Sequence, residues 1–395
     1  MLLMHDVIIS GAGPSGSQCA EVLAKAGYRV ALIERDANWR KPCGGSFSSR
    51  VLKLYPQIKK LNIPKIRGGV LYSADYHRVE YRRKDNLFST VMDRLELDNI
   101  MRDTAIDVGA ELFDKNLAFD FISKNQEKIG IKTKTPSGVK EYHGKIIIVA
   151  DGMSSKLATK SGLRSKWKTE EIGIAKCAIM EGANNLDEEF INVYFKPYMG
   201  YGWIFPLGSN RFNIGCGIVG EDVLRYNLND IYTDFIRDSK IKEFIPDSSY
   251  KIIWSGSYPM PMVGVLENSL YDNNLMLIGD AAGFISPING EGIYASVYSG
   301  KAAAEVAIKA LENEDYSKNT LKKYKKHPDI KHFISSFKMR RSVAKFFVEN
   351  KGVNLNKMFE LAEKDSNYRE QVTGLFLTKA DITPSKDFFT RIKEI

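Results

Sequence analysis

The segment GAGPSG at residues 11–16 constrains the fold of this 395-residue chain more than any other part of the sequence. It matches the pattern GxGxxG and follows the β-branched run HDVIIS, which is typical of a buried parallel strand. A helical pattern then continues to about residue 26, and YRVALIE at residues 28–34 predicts the next strand. A strand, a glycine-rich turn, a helix and a second strand predict the phosphate-binding unit of a Rossmann-like domain.

Three glycines and one acid in this unit are the candidate ligands of a dinucleotide. Gly11, Gly13 and Gly16 permit the tight turn and let a pyrophosphate approach the start of the helix, where free amides and the helix dipole favour an anion. Glu34 ends the second strand, where its carboxylate can accept hydrogen bonds from ribose hydroxyls. A second GxGxxG match at residues 215–220 is rejected, because the strand after it begins too late and ends without an acid. The sequence predicts one dinucleotide.

The rest of the chain divides by its pattern. Two further apolar runs, at residues 145–150 and 274–279, predict more strands of the first sheet, whereas alternating aromatic-rich runs between residues 163 and 262 predict an antiparallel sheet. From residue 300 onward the pattern is helical. We expect a cofactor domain built from residues 1–70, 91–165 and 266–315, a substrate domain from 71–90 and 166–265, and a helical region from 316–395.

Composition narrows the class of protein. The chain is 44% hydrophobic and 27% charged, as in ordinary globular proteins, and it has no apolar run of the length that spans a membrane. Its four cysteines form no CxxC pair, so neither a disulfide framework nor a metal site is expected. The net charge of +9 comes without any nucleic-acid-binding signature, and we expect no nucleic-acid partner.

The segment HFISSFKMRRSVAKFFVE at residues 332–349 mixes phenylalanine with lysine and arginine. A basic amphipathic helix of this kind either rests on an anionic membrane surface or packs its apolar stripe on the protein. Because the cysteine pattern fits a reducing cytoplasm, we expect a cytoplasmic protein, and the basic helix adds the option that it is peripheral on the cytoplasmic face of the membrane.

Two segments near residue 285 indicate which dinucleotide binds. GDAAG at residues 279–283 and PINGEGI at residues 287–293 predict a strand, an acid and a glycine-bracketed turn that opens a long helix. Asp280 can hold a ribityl or ribose hydroxyl, and the backbone at Gly290, Gly292 and Ile293 can face the electron-rich edge of a reduced isoalloxazine. This arrangement favours FAD over NAD.

The order of GAGPSG, DG at residues 151–152 and GD at residues 279–280 resembles that of the three flavin motifs in flavoproteins with a p-hydroxybenzoate-hydroxylase-like fold. The resemblance implies an α/β plus α+β fold: a Rossmann-like FAD-binding domain, an inserted antiparallel-sheet substrate domain and a C-terminal helical region. MDRLEL at residues 92–97 is similar to the segment whose arginine contacts FAD in these proteins, which implies that role for Arg94. Ala118 is implied, in the same way, to lie beside the adenine.

Two further stretches resemble those of geranylgeranyl reductases: PCGG at residues 42–45 and YGWIFP at residues 201–206. This resemblance implies that reduced FAD transfers hydride from N5 to carbon–carbon double bonds of an isoprenoid lipid. It also implies that Cys43 faces flavin and substrate, either as a general acid or as a residue that shapes the pocket, while Gly44 lets the backbone pass close to a flat ring. Three aromatic residues alternate along one strand and would line an apolar tunnel, or pack in the core: Tyr201, Trp203 and Phe205.

Two other functions stay open at this point. The same fold and flavin motifs serve FAD-dependent aromatic monooxygenases and halogenases. An electron-transfer flavoprotein that feeds quinone is the second alternative, although such proteins often carry a cysteine-ligated cluster, and none is indicated here. The external reductant is expected to be ferredoxin, a reduced deazaflavin or NAD(P)H.

Overall fold

The computed structural model describes residues 4–83, 87–125, 127–196, 200–246, 250–349, 353–377, 388, 390 and 391. The strands, in chain order, are β1 (Met4–Ser10), β2 (Val30–Ile33), β3 (Ser46–Ser48), β4 (Lys65–Ile66), β5 (Gly68–Tyr72), β6 (Arg78–Arg82), β7 (Ser89–Val91), β8 (Glu111–Phe113), β9 (Leu117–Lys124), β10 (Glu127–Thr135), β11 (Gly138–Val149), β12 (Ile172–Gly182), β13 (Phe190–Phe195), β14 (Gly200–Gly208), β15 (Arg211–Val219), β16 (Tyr250–Pro261), β17 (Tyr271–Asp272) and β18 (Leu275–Leu277). The α-helices are α1 (Pro14–Lys25), α2 (Arg94–Asp107), α3 (Lys156–Lys160), α4 (Asp222–Arg225), α5 (Leu228–Arg237), α6 (Ser239–Lys242), α7 (Ile293–Glu312), α8 (Lys318–Leu321), α9 (Lys323–Lys326), α10 (Pro328–Glu349), α11 (Val353–Lys364) and α12 (Ser366–Phe376).

The first sheet has the order β17-β18-β11-β1-β2-β8, and β10 and β9 extend it from β11. Strands β18, β11, β1, β2 and β8 run parallel, as the buried β-branched runs predict. Helix α1 joins β1 to β2 and packs closely on α7. The absence of a side chain at Gly300 permits this approach, since a Cβ there would lie only 2.1 Å from the Ser15 carbonyl oxygen. The prediction that three distant segments share one Rossmann-like sheet is confirmed.

The second sheet has the order β16-β12-β15-β14-β13-β5-β6. All its neighbouring strands are antiparallel except β13 and β5, which are parallel. The sheet is therefore mixed rather than purely antiparallel as predicted. Strand β5 comes from a segment more than a hundred residues before β13, and such a long connection permits parallel pairing, which a tight hairpin does not.

A third, small sheet with the order β3-β7-β4 was not predicted. Its strands have two or three residues each, too few to show a period in the sequence. The sheet fixes the chain just after Cys43. Gly45 has a φ of +78°, and a Cβ there would lie 2.1 Å from the Met92 carbonyl oxygen, so only glycine fits at this position.

The C-terminal helices α10, α11 and α12 cover one face of the second sheet. The ring of Phe195 on β13 packs on Phe359 of α11 at 5.5 Å and on Phe376 of α12 at 4.7 Å between centroids. Helix α10 buries Phe337 and Arg340, and the guanidinium donates to the carbonyl oxygens of Gly374 and Leu375. The apolar stripe of α10 thus packs on the protein. In the part of the chain described, no helix is long and apolar enough to cross a membrane.

Candidate active site

A cavity of about 1150 Å³ extends from the carboxyl ends of β1 and β2 to the face of the second sheet. This volume exceeds the roughly 300–1,000 Å³ of most small-molecule sites, so the cavity has room for a dinucleotide and a second ligand. Of the residues predicted as site residues, every one except Gly16 lines this cavity. The cavity therefore brings together predicted residues as far apart in the sequence as Gly11 and Ile293.

The glycine-rich turn shapes the cavity where β1 ends. Gly11 has a φ of +102°, and a Cβ there would lie 2.4 Å from the Ala150 carbonyl oxygen. A Cβ on Gly13 would meet nothing within 4 Å, and no side chain caps the helix that begins after it. Gly16 serves packing instead, since its Cβ would lie 1.9 Å from the Gly11 carbonyl oxygen. The amides at the start of α1 thus face open space of the kind that a pyrophosphate would fill.

Glu34 lies beside this turn, at the end of β2. Its carboxylate accepts hydrogen bonds from the backbone N–H groups of Ala12 at 2.8 Å and Asp36 at 3.0 Å. A carboxylate has about four acceptor sites, so Glu34 can also accept hydrogen bonds from ribose hydroxyls. Ala118 and Asn116 line the same end of the cavity.

Sequence reasoning missed Arg102, a buried residue that also lines the cavity near Glu34. Its guanidinium donates to the carbonyl oxygen of Ala37 at 2.5 Å. Arg94, Asp98 and Arg102 lie four residues apart on one face of α2, and this spacing is the signal that could have identified Arg102.

Two acids near the middle of the cavity complete its cofactor half. Asp280 is 8% exposed and pairs with Lys41 Nζ at 2.5 Å; Lys41 lines the cavity and was not predicted. The Asp151 Oδ1 atom is buried without a hydrogen-bond partner among the described residues, and burial raises the pKa of this carboxyl to about 7. The open glycine turn, Asp280 and an unpartnered buried oxygen fit FAD, whose hydroxyl and phosphate groups need such partners.

Cys43 lies half-buried where the cofactor half meets the second sheet. Its sulfur accepts a hydrogen bond from the Gly45 backbone N–H at 3.4 Å and also faces the buried Arg94. Burial alone would lower the pKa of Arg94, but the ion pair with Asp98 at 3.0 Å and the contact with Cys43 outweigh it and raise that pKa above its ordinary value. The thiol thus sits beside a firmly charged guanidinium.

Gly44 lies against aromatic side chains. A Cβ on Gly44 would lie 2.8 Å from Phe205 Cε2 and 3.1 Å from Trp203 Nε1. A side chain at this position would therefore collide with two rings of the second sheet, and the approach to the flavin stays a prediction.

The three alternating aromatics of β14 form one wall of the cavity. The Trp203 ring lies 6.0 Å from Tyr201 and 6.1 Å from Phe205, centroid to centroid. All three rings also pack in an apolar cluster with α10, α11 and α12, so they are core residues and cavity-wall residues at once. Six further apolar residues, which sequence reasoning missed, line the same part of the cavity: Phe195, Ile288, Phe347, Leu355, Phe376 and Leu377. We call this aromatic and aliphatic part of the cavity the apolar arm.

The loop before α7 closes the junction between the two halves. The Tyr201 hydroxyl donates to the Asn289 carbonyl oxygen, and Gly290, Gly292 and Ile293 line the cavity. Glu291 also lines it, and its carboxylate accepts a hydrogen bond from the Tyr294 N–H at 3.0 Å. Burial raises the pKa of Glu291 to about 7.

The fold and this cavity define an FAD-dependent oxidoreductase, and the model of the FAD binding domain family matches residues 4–328. Digeranylgeranylglycerophospholipid reductase 2 of Methanococcoides burtonii is 32% identical over 81% of this chain and 79% of its own length. Digeranylgeranylglycerophospholipid reductase 1 of Methanopyrus kandleri is 28% identical over 93% of this chain and 96% of its own. A geranylgeranyl bacteriochlorophyll reductase-like protein from Thermoplasma acidophilum shares the fold over 100% of both chains, with a TM-score of 0.83 and 24% identity. Within the FAD binding domain family, the chain belongs to the geranylgeranyl reductase family.

Proposed function

We propose that this protein reduces carbon–carbon double bonds in the geranylgeranyl chains of a glycerophospholipid. The observation that carries the proposal is the apolar arm, which opens directly from the cofactor half of the same cavity. The names of both curated relatives describe reductases of such a lipid, in agreement with a long apolar space beside the flavin half.

Glu34, Arg94, Arg102 and Asp280 are the residues proposed to hold FAD, together with the glycine turn. When bound and reduced, FAD supplies the hydride for the double bond. The walls of the apolar arm bind the chain by burial of apolar surface and exclude water from the reacting carbons. The Tyr201 and Trp203 rings can also stabilise positive charge that develops on a trisubstituted alkene carbon.

Cys43 is proposed to hold the proton that the second carbon takes up. Cys43 lines the cavity, and the guanidinium of Arg94 lies beside its sulfur. A new proton then reaches the sulfur from water when the product leaves. The alternative role, in which Cys43 only shapes the pocket, predicts a different outcome for its variants, given in the Discussion.

The reaction class can be tested with dithionite-reduced holoenzyme under anaerobic conditions. Incubation with a glycerophospholipid that carries two geranylgeranyl chains should yield products whose masses rise in steps of two hydrogens. Unchanged lipid and unoxidised flavin would contradict the proposal. Formation of an oxygenated or halogenated product, and only with oxygen present, would instead support the monooxygenase or halogenase alternative.

The external reductant and a membrane surface are further proposed partners. Ferredoxin, a reduced deazaflavin or NAD(P)H would each be recognised by anaerobic flavin reduction followed at its visible absorption. Association with an anionic membrane remains a prediction, and α10 does not present its buried phenylalanines to such a surface. Recovery of the protein with anionic but not neutral liposomes in a flotation experiment would support that association.

A further inference from the structure

The C-terminal helices contribute two cations to the cavity besides their apolar side chains. Arg341 and Lys345 lie one turn apart on α10, and both line the cavity. Phe347, two residues further along the helix, is buried in the apolar arm. The same helix therefore presents charge and hydrocarbon to one continuous space.

Arg341 has unused hydrogen-bonding capacity. Within the described part of the chain its guanidinium makes no hydrogen bond or ion pair, and Glu171 and Glu267 attract it only from a longer range. One guanidinium nitrogen lies 3.6 Å from the position that a Cβ on Gly264 would take, in the segment after β16. An arginine presents five N–H donors in a planar fork, and a phosphate matches that fork with two parallel hydrogen bonds.

Arg225, another cation of the cavity wall, differs from Arg341 in this respect. Its guanidinium pairs with Glu221 at 2.7 Å and with Asp222 at 3.7 Å, so its charge is already balanced by neighbours in α4 and just before it. Arg341 therefore offers an anionic ligand donors that Arg225 does not.

We propose that Arg341, assisted by Lys345, binds the phosphate of the lipid whose hydrocarbon chain occupies the apolar arm. This inference rests on the proposed function for the identity of the lipid. It assigns to the C-terminal helices a role that the flavin motifs do not cover: they recognise the ends of an amphipathic molecule, with a cation for the phosphate and aromatic residues for the chain.

Two substrates that differ only at the headgroup test the site by turnover. Both carry two geranylgeranyl chains on glycerol, and the third carbon bears either a phosphate or a free hydroxyl. In dithionite-reduced holoenzyme, Arg341→Gln should raise the KM for the phosphorylated lipid by about tenfold to a hundredfold, the range for loss of a charged hydrogen bond. The KM for the hydroxyl lipid should stay the same, and Arg341→Lys should recover part of the loss.

Lys338→Gln is the matched control, because Lys338 is an exposed cation of α10 outside the cavity wall. It should leave both KM values unchanged. Equal FAD content and equal thermal unfolding midpoints in all variants establish that each is folded. Equal effects of Arg341→Gln on both lipids, or no effect on either, would overturn the phosphate site.

A binding measurement separates this site from the reaction itself. Quenching of tryptophan fluorescence by geranylgeranyl phosphate and by geranylgeraniol reports binding without turnover. Wild type should bind the phosphate more tightly, and Arg341→Gln should remove the preference. Selective binding without any reduction of lipid would contradict the proposed function but support the phosphate site, whereas equal binding of both compounds by wild type would overturn the site.

Discussion

The side-chain amide of Asn213 donates a 2.9 Å hydrogen bond to the carbonyl oxygen of Cys43. The Asn213 oxygen in turn accepts the Trp203 indole N–H at 2.8 Å. Asn213 is 4% exposed, so neither partner has water as an easy substitute. One buried amide thereby fixes the candidate proton donor and the central aromatic ring of the apolar arm in a single arrangement.

Asn213→Ala should lower the free energy of unfolding by roughly 1–3 kcal/mol, because it leaves the Trp203 N–H without its acceptor and the Cys43 carbonyl with only the weak Cys177 thiol donor. It should also slow lipid reduction, because the Cys43 segment loses its anchor. Urea denaturation and initial rates measure the two effects. Asn319→Ala removes an exposed amide and should change the unfolding free energy by no more than about 0.5 kcal/mol. Equal stability losses in the two variants would refute the anchoring role.

Cys43→Ala should retain FAD, since the other cofactor-lining residues are unchanged, but should slow reduction by roughly 10²–10⁴-fold if the thiol supplies the proton. Cys43→Ser keeps the approximate size of the side chain and an exchangeable proton, so its rate of lipid reduction should lie between those of Cys43→Ala and wild type. If Cys43 only shapes the pocket, the serine variant should match wild type. Cys216→Ala is the control, because Cys216 is buried on β15 away from the cavity. Flavin absorbance and product mass spectra provide the readouts.

Gly13→Ala should reduce FAD affinity by at least about tenfold while the FAD-free protein unfolds at the same temperature. The added methyl group meets no protein atom within 4 Å and so intrudes only on the space proposed for the cofactor. Gly11→Ala should destabilise the FAD-free protein as well, since its methyl group would collide with the backbone at Ala150. Unaltered FAD titration of Gly13→Ala would place the pyrophosphate elsewhere.

Glu291 should make stability depend on pH. Burial raises its pKa from the usual 4.5 to about 7. Below pH 4.5 the carboxyl is protonated in both the folded and the unfolded chain, and its neutral form is tolerated. Between pH 4.5 and about 7 the unfolded chain releases this proton while the folded chain keeps it, so stability falls across this range and levels off above pH 7.

Glu291→Gln should therefore match wild type near pH 4.5 and exceed its free energy of unfolding by roughly 3 kcal/mol at pH 8. Glu312→Gln, at an exposed carboxylate of α7, serves as the reference variant. Urea titrations across this pH range give the comparison. A difference between Glu291→Gln and wild type that does not change with pH would show that the carboxyl ionises normally.

The cofactor half of the cavity could be predicted from the sequence because its signals are local. The GxGxxG turn, Glu34 and Asp280 each stand at the end of a short apolar strand, where the chain must turn and expose backbone amides or an acid. The strand period likewise placed Tyr201 and Trp203 on one face of β14.

The other contacts depend on packing between distant segments, for which no local pattern exists. The pair Lys41–Asp280 joins residues 239 positions apart. Phe376 contacts Phe195 because α10, α11 and α12 fold back over the second sheet. A helical period in the sequence shows which face of a helix is apolar, but it does not show which surface of the protein that face covers. The parallel pairing of β5 with β13 could not be predicted from the sequence for the same reason.

Part of the apolar arm comes from a stretch of the chain that contributes nothing to the cofactor half. The glycine turn and the acids that face the cofactor come from the first 300 residues, whereas Phe347, Leu355 and Phe376 come from the last 50. Substitutions in α11 and α12 can therefore lengthen or shorten the space for a hydrocarbon chain and leave the redox chemistry intact. Such an enzyme can diverge in the chain length it accepts through changes to its C-terminus alone.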